Sequence, residues 1–477
     1  MVNFTEQELY ICQRISEAAT QSGVEARIIG GFVRDKILNR QDKDLDIVCV
    51  GDGIALANET ARRFNPPPKV NFFKNFGTAQ IRVYEPSTQS FFEIEFVGAR
   101  KESYNYDSRK PEVRPANFHE DILRRDFTIN TLGIGLNREN FGEVIDPLNG
   151  WNDIKNKLIK TPLPPGQTFI DDPLRMMRAI RFATQLNFKI EEQTWEAIKI
   201  NADRIKIISA ERIIDEINKM VLAKKPSIGF KLLLDCGLLD IIFPQMTALA
   251  GTEYIDGKGH KDNFYHTLQV LDNISENTDN LWLRWAAILH DIAKPVTKRF
   301  EPGIGWTFHG HEVIGSRMVP KIFTQLKLPL NEHMKFVKKM VELHLRPISL
   351  TKENITDSAI RRLIVDAGDD LESLMTLCKA DITTKNKQKV ERYLANFELV
   401  EKRLKEVEAS DHLRNWQPPI TGEIIMKEFG LPPSREVGKI KMAVREAILD
   451  GVIPNKFEEA YSYMKKYAEE IGIKAQK

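Results

Sequence analysis

In the stretch DKDLDIVCV, Asp42, Asp44 and Asp46 occupy every second position, directly ahead of an apolar run. In a strand, residues two apart share a face, so Asp44 and Asp46 stand roughly 7 Å apart and repel. That repulsion is tolerable in water, or where a divalent cation sits between the carboxylates. The plainer alternative is a polar turn of which only Asp46 enters the strand. Upstream, Gly30 and Gly31 let a backbone approach a ligand closely, and FVRDKIL reads as the first turns of a helix whose free N–H groups favour phosphate. Together these features outline a site for a nucleoside triphosphate and magnesium. In SFFEIEF the alternation puts Glu93 and Glu95 opposite Phe92, Ile94 and Phe96. Either glutamate could complete a three-carboxylate metal site, or both could line an ordinary polar face. In RRDFTINTLGI, Arg124 and Arg125 precede what reads as a buried strand carrying Asn130, where the arginines are either solvated or balance phosphate charge.

Two further groups carry chemistry. Asp172 precedes Pro173 and reads as a helix N-cap, while Asp172, Arg175 and Arg178 at spacings of three offer an acceptor and planar donors along one face. Five histidines, His266, His290, His309, His311 and His344, fall in one region together with Asp291 and Asp381. The adjacent His290 and Asp291 of ILHDIAK lie at the end of an apolar helix, where buried polar atoms need partners that a divalent metal supplies.

The elements that must position these residues divide the chain. Residues 25–135 alternate short β-rich runs with turn signals, interrupted by one helical run, GIALANETARRF. Residues 103–121, with Arg109, Lys110 and Arg114, show neither period and read as a mobile basic loop. From about residue 151 the period becomes helical, with linker candidates at 250–263 and 415–423. The expected fold class is α+β: a small mixed-sheet head over 1–150, then helical segments at 151–250, 251–390 and 391–477. At 477 residues the chain is long enough for several cores. It contains no apolar run of membrane-spanning length and no basic-then-apolar leader, which points to a cytoplasmic protein. Its four cysteines are far apart and read as free thiols. A net charge of +2 leaves nucleic-acid contact to local clusters.

In this order GGFVRD, DLDIV, RRDFTIN, DPLNGWNDIKNKLI, DDPLRMMRAIRFATQLNF and ISAERIIDEINKMV resemble the class II CCA-adding tRNA nucleotidyltransferases and bacterial poly(A) polymerases over residues 25–245. The resemblance implies a polymerase-β-like head, a helical neck that selects the nucleotide, and a body and tail that hold tRNA. It implies Mg²⁺ on Asp44 and Asp46, with Asp42 a flanking turn residue and Glu95 preferred to Glu93 as auxiliary carboxylate. Nucleotide contacts would come from Gly30, Gly31, Arg34, Arg124, Arg125, Asn130, Asp172, Arg175 and Arg178, with Asp172 and Arg175 reading the base edges of CTP and ATP. The motif at Asp171-Asp172 departs from the family's EDxxR by one shortened carboxylate.

The string from His266 to Asp381 resembles HD-superfamily phosphohydrolases. It implies a second divalent, transition metal on His266, His290, Asp291 and Asp381, with His311 and His344 near a substrate phosphate. Tail residues Lys439, Lys441 and Arg445 would meet tRNA phosphates. Alternatives within the same resemblance are a poly(A) polymerase, a CC- or A-adding partial enzyme, or a phosphohydrolase acting on RNA ends or nucleotides. Oligomeric state is not legible.

Overall fold

The computed structural model describes residues 3–73, 77–105, 108–255, 257–350, 356–384, 386–411 and 416–474. The side chains of Arg109 and Lys110 lie outside the described residues. The chain forms two units, Met1–Thr247 and Ala248–Lys477.

The first unit is built on a seven-stranded mixed sheet. In chain order its opening elements are α1 (Glu6–Ser22), β1 (Ala26–Ile29), α2 (Gly31–Ile37), β2 (Asp44–Cys49), α3 (Gly53–Ala61), β3 (Asn71–Phe73), β4 (Thr78–Glu85), β5 (Ser90–Gly98), β6 (Arg100–Asn105), β7 (Ser108–Pro115), α4 (Phe118–Leu123), β8 (Gly133–Gly135) and β9 (Val144–Ile145). The sheet order is β3-β4-β5-β2-β1-β8-β9, and only β2 and β5 run parallel. Leu45, Ile47, Ile81, Ile94 and Phe96 are wholly buried on one face, which leaves the acidic positions of β2 and β5 on the other. A Cβ on Gly53 would lie 2.8 Å from the Val97 backbone, so glycine at this position allows α3 to pack against β5.

Two expectations are corrected here. Residues 103–121 are not a loop. β6 and β7 pair as an antiparallel hairpin in which Lys101 faces Arg114 and Glu102 faces Val113, and α4 follows under a capping box of Asn117 and Glu120. Among its described side chains Lys101, Glu112, Val113 and Arg114 are exposed, so these positions leave no apolar alternation in the sequence. Asn130 is not on a strand either. Thr128–Asn130 is a short 3₁₀ turn, because the Asp126 carboxylate accepts from both the Phe127 N–H and the Asn130 amide and curls the chain before β8.

Downstream, the helices Leu174–Leu186, Glu192–Asn201, Ala210–Val221, Ser227–Asp235 and Leu238–Ile242 form the helical part of the first unit. The last two are separated at Gly237, whose φ is +81°. Among its described residues the second unit is mainly helical, with two short antiparallel pairs, Tyr254–Ile255 with Lys258–Gly259 and Arg299–Glu301 with Gly305–Thr307. Its last three helices, Gly422–Phe429, Arg435–Leu449 and Phe457–Glu470, close around Ile425, Ile440, Val444 and Met464. Arg445 pairs with Asp366 at 2.6 Å and with Glu446, and so serves structure as well as charge, whereas Lys439 and Lys441 are exposed. No helix among the described residues is long and apolar enough to cross a membrane.

Sheet and helices of the first unit are joined by a buried polar chain. Arg34 donates to Asn130 at 2.8 Å, Asn130 to Asp126 at 3.0 Å, and Arg178 pairs with Asp126 at 2.6 Å. Burial alone would raise the Asp126 carboxyl, but Arg178 and the Asn130 amide overcome it and hold it far below the usual range. The pair therefore stabilises the fold fully above the unfolded value of about 4, and that contribution fades as pH falls towards the folded value. Asp126→Asn is expected to cost about 2–4 kcal/mol by thermal or urea unfolding at pH 7, with a smaller difference from the parent near pH 3.

Candidate active site and a second, metal-ligating cluster

Register places the acidic residues of the head. β2 and β5 set Asp44 beside Glu93 and Asp46 beside Glu95, and β1 brings Ile29 against Asp46, just ahead of Gly30. Asp42 lies outside β2 and accepts from the Asp44 N–H at 3.1 Å, as a turn residue does. Glu93 is committed to Arg82 at 2.6 Å and to Gln80. Glu95 instead faces Asp46.

Electrostatics mark the same spot. Desolvation in the cleft, with Glu95, Asp44 and Asp42 nearby, pushes the Asp46 carboxyl up to about 6 against the opposing pull of Arg125. Asp44 is raised for the same reasons, by desolvation and then by Asp42 and Glu93. Both carboxylates remain solvent-accessible. Gly30 has φ +81°, and a Cβ there would meet the Asp46 carboxylate at 3.4 Å, so a side chain would both strain the turn and crowd the acidic cleft. A site whose like charges are desolvated together, yet open on one side, fits a divalent cation.

Arg124 and Arg125 stand at the end of α4, not at a strand entrance. Both are held by the buried Asp121, at 2.7 and 3.0 Å. Burial would raise the Asp121 carboxyl, but Arg125 and Arg124 together keep it below its usual range. Arg175 is buried and donates to the Arg124 carbonyl. Asp172 accepts from the Leu174 N–H at 3.2 Å, with Pro173 as the cap of helix Leu174–Leu186, so its capping role is displaced by one residue from expectation. Arg178 points to Asp126. Sequence reading missed Asp121 and Asp126, which hold every one of these arginines except Arg34 and Arg175. The available signal was the acid closing the RRD triplet.

In the second unit His266, His290, Asp291, His311, His344 and Asp381 converge. Asp291 Oδ2 lies 3.3 Å from both His266 Nε2 and His290 Nε2, while its Oδ1 lies 3.2 Å from His311 Nε2 and 3.9 Å from His344 Nε2. Asp381 approaches His266 at 3.0 Å. Each of His290, His311 and His344 places Nδ1 within 2.7–2.8 Å of a backbone carbonyl, of Ala287, Phe308 and Val341. Donation there turns Nε2 inward, and none of the three Nε2 atoms has a well-aligned hydrogen-bond partner. Burial, then the neighbouring His290, pushes His344 down to about 4 and keeps its imidazole neutral.

Two donor sets result: His266 with His290 and Asp381, and Asp291 with His311 and His344. In each the donor atoms lie within 4.8 Å of one another; among the described residues such sets occur only here, and the head carboxylates stand wider apart. His311 and His344, expected beside a phosphate, thus share Asp291 as donors. His309 is largely exposed and stays outside. Lys294, three residues past Asp291 in the HDIAK string, reaches Asp291 at 2.6 Å and was also missed.

Residues 26–160 match a family model described as the poly A polymerase head domain, residues 187–249 one for a probable RNA and SrmB-binding site of polymerase A, and residues 263–374 the HD domain. An A-adding tRNA nucleotidyltransferase of Deinococcus radiodurans is 30% identical over 75% of this chain and 81% of its own length. One of Aquifex aeolicus is 40% identical over 41% of this chain, which spans about a quarter (23%) of that protein. Among solved structures, a CCA-adding enzyme in complex with ATP superposes with a TM-score of 0.63 at 18% identity, covering 98% of this chain and 96% of that one. With its carboxylate-bearing head strand, its polymerase-type helical segment and its HD cluster in one order, the chain belongs to the tRNA nucleotidyltransferase and poly(A) polymerase family.

Proposed function

We propose that this protein rebuilds or repairs the 3′-terminal CCA of tRNA from CTP and ATP. The observation that carries this reading is the face shared by Asp44, Asp46 and Glu95, where two carboxyls are raised by desolvation and by neighbouring carboxylates. Asp44 and Asp46 would hold Mg²⁺, which when bound activates the attacking 3′-hydroxyl and steadies the leaving pyrophosphate. Around them, Gly30 and Gly31 open the backbone at the start of α2. Arg125, oriented by Asp121, lies close enough to Asp46 to counter its charge, and the same position suits a triphosphate. Asp172 and Arg175 would read the base edge, with the Arg124 carbonyl fixing the guanidinium of Arg175.

In this reading residues 1–150 are the catalytic head, 151–250 the neck, 251–390 the HD segment and 391–477 a tail for tRNA. Four buried, unpaired cysteines suit work in the reducing cytoplasm. The names of the Deinococcus and Aquifex relatives favour a second reading, addition of the terminal adenosine alone.

We infer further that His266, His290, Asp291 and Asp381 would hold a divalent transition metal, with His311 and His344 beside Asp291, because the cluster gathers imidazole and carboxylate donors at ligating separation. Such a metal supplies an activated water for phosphoester hydrolysis.

Transcripts ending before CCA, after CC and after CCA, incubated with CTP and ATP singly and together, separate the readings by product length. Growth of all incomplete ends to CCA is expected. Extension of only the CC-ended transcript establishes the adenosine-only enzyme, and long adenosine tails establish a poly(A) polymerase. Asp44→Asn and Asp46→Asn are each expected to lower addition at least 10³-fold with tRNA affinity within twofold; near-normal turnover in either contradicts the assignment. Asp172→Ala is expected to reduce the preference for CTP and ATP over UTP and GTP at least tenfold, read from kcat/KM for each nucleotide.

A further inference from the structure

The two hairpins of the second unit are zipped together beside the HD cluster. Trp306 donates its indole N–H to the Lys258 carbonyl at 3.1 Å, and the Lys258 ammonium donates to the Gly303 carbonyl at 3.0 Å. Between them lies a pocket of about 430 Å³ whose lining includes Lys258, His260, Lys261, Ile304, Trp306 and Phe308. Its rings are fixed against one another: His260 meets Trp306 edge-on at 5.3 Å and Phe308 at 6.0 Å. The Lys298 ammonium covers the Trp306 ring at 4.7 Å.

Carboxylates are few and already engaged, Glu253 with Lys298 at 2.8 Å and Glu301 with Thr307. Ile304 is 71% exposed at the rim, an apolar surface left to water. Aromatic walls with several ammonium groups suit a ligand that is planar and anionic at once, and the volume falls within the range of small-ligand pockets.

Two lining residues also touch the cluster. Lys261 Nζ lies 3.0 Å from His266 Nδ1. The Phe308 carbonyl accepts from His311, while the Phe308 ring lies 5.6 Å from Lys294 Nζ, itself 2.6 Å from Asp291. A base held by the aromatic wall would therefore have its phosphate within one side-chain length of the donor sets.

We propose that the two hairpins form a nucleotide-binding subsite, so that the HD cluster acts on the phosphate ester of a nucleotide. This rests on the reading of the cluster as a metal centre. Base and ribose occupy the pocket against Trp306 and His260, and Lys258 and Lys261 take the phosphate. The same chemistry belongs to a free mononucleotide and to the terminal nucleotide of an RNA 3′ end.

Full-length protein is photolabelled with 8-azidoadenosine 5′-monophosphate and, separately, with a short RNA ending in 8-azidoadenosine 3′-phosphate, and the labelled peptides are mapped by mass spectrometry. Labelling within 254–261 or 304–308 is expected, and the probe that labels identifies the source of the ligand. Ile304→Asp, a rim substitution that leaves the packed rings intact, is expected to lower this labelling at least tenfold. It is also expected to raise KM for the nucleotide at least tenfold more than KM for p-nitrophenyl phosphate. Trp306→Ala provides a second variant, its fold checked by circular dichroism. Labelling confined to the head, or unchanged in both variants, overturns the subsite. Metal content by inductively coupled plasma mass spectrometry keeps the two ideas apart: no bound metal removes the reading of the cluster, whereas bound metal and p-nitrophenyl phosphate hydrolysis without hairpin labelling remove the subsite alone.

Discussion

Repulsion among Asp44, Asp46 and Glu95 is the constraint around which the head is arranged. Strand register forces the three onto one face, since Asp46 lies directly across from Glu95 and Asp44 is two residues away. The buried side of the same strands, Leu45, Ile47, Ile94 and Phe96, fixes that register, because a slip of one residue would drive the carboxylates into the core. The sheet thus holds like charges together at a cost offset by hydrophobic burial beneath them, and the raised carboxyls of Asp44 and Asp46 express that cost. A divalent cation bound there would relieve that repulsion.

The surrounding cations answer to acids of their own. Asp121 orients Arg124 and Arg125, and Asp126 orients Arg178 and, through Asn130, reaches Arg34. Of these arginines, Arg125 stands near enough to Asp46 to oppose its charge while it stays paired with Asp121. The HD cluster solves a related problem differently. Three of its histidines, His290, His311 and His344, spend Nδ1 on backbone carbonyls and turn Nε2 inward around a single central carboxylate, Asp291. The first site gathers carboxylate oxygens, and the second gathers imidazole nitrogens.

What the sequence disclosed follows from what leaves a period. The alternation of β2 and β5 and the apolar stripes of the later helices were legible because each buries one face. The β6–β7 hairpin was read as a loop because its described residues, Val113 among them, are largely exposed, and exposure erases alternation. Asn130 was placed on a strand because apolar neighbours surround it, and the Asp126 hydrogen bonds that curl the backbone have no compositional trace. Donor types in the HD cluster were legible from their order along the chain. Their partition about the two oxygens of Asp291 was not, because it depends on side chains brought together from five segments more than a hundred residues apart at their extremes. The hairpin pocket left no signal beyond scattered lysines and aromatics.

The central claim is that Asp44 and Asp46 together bind the catalytic cation. Crystals soaked with CTP and Mn²⁺, measured at the manganese absorption edge, test it most directly. The account predicts anomalous density at bonding distance from carboxylate oxygens of both residues and next to the nucleotide phosphates. Ordered CTP with no anomalous density at these two side chains would contradict it.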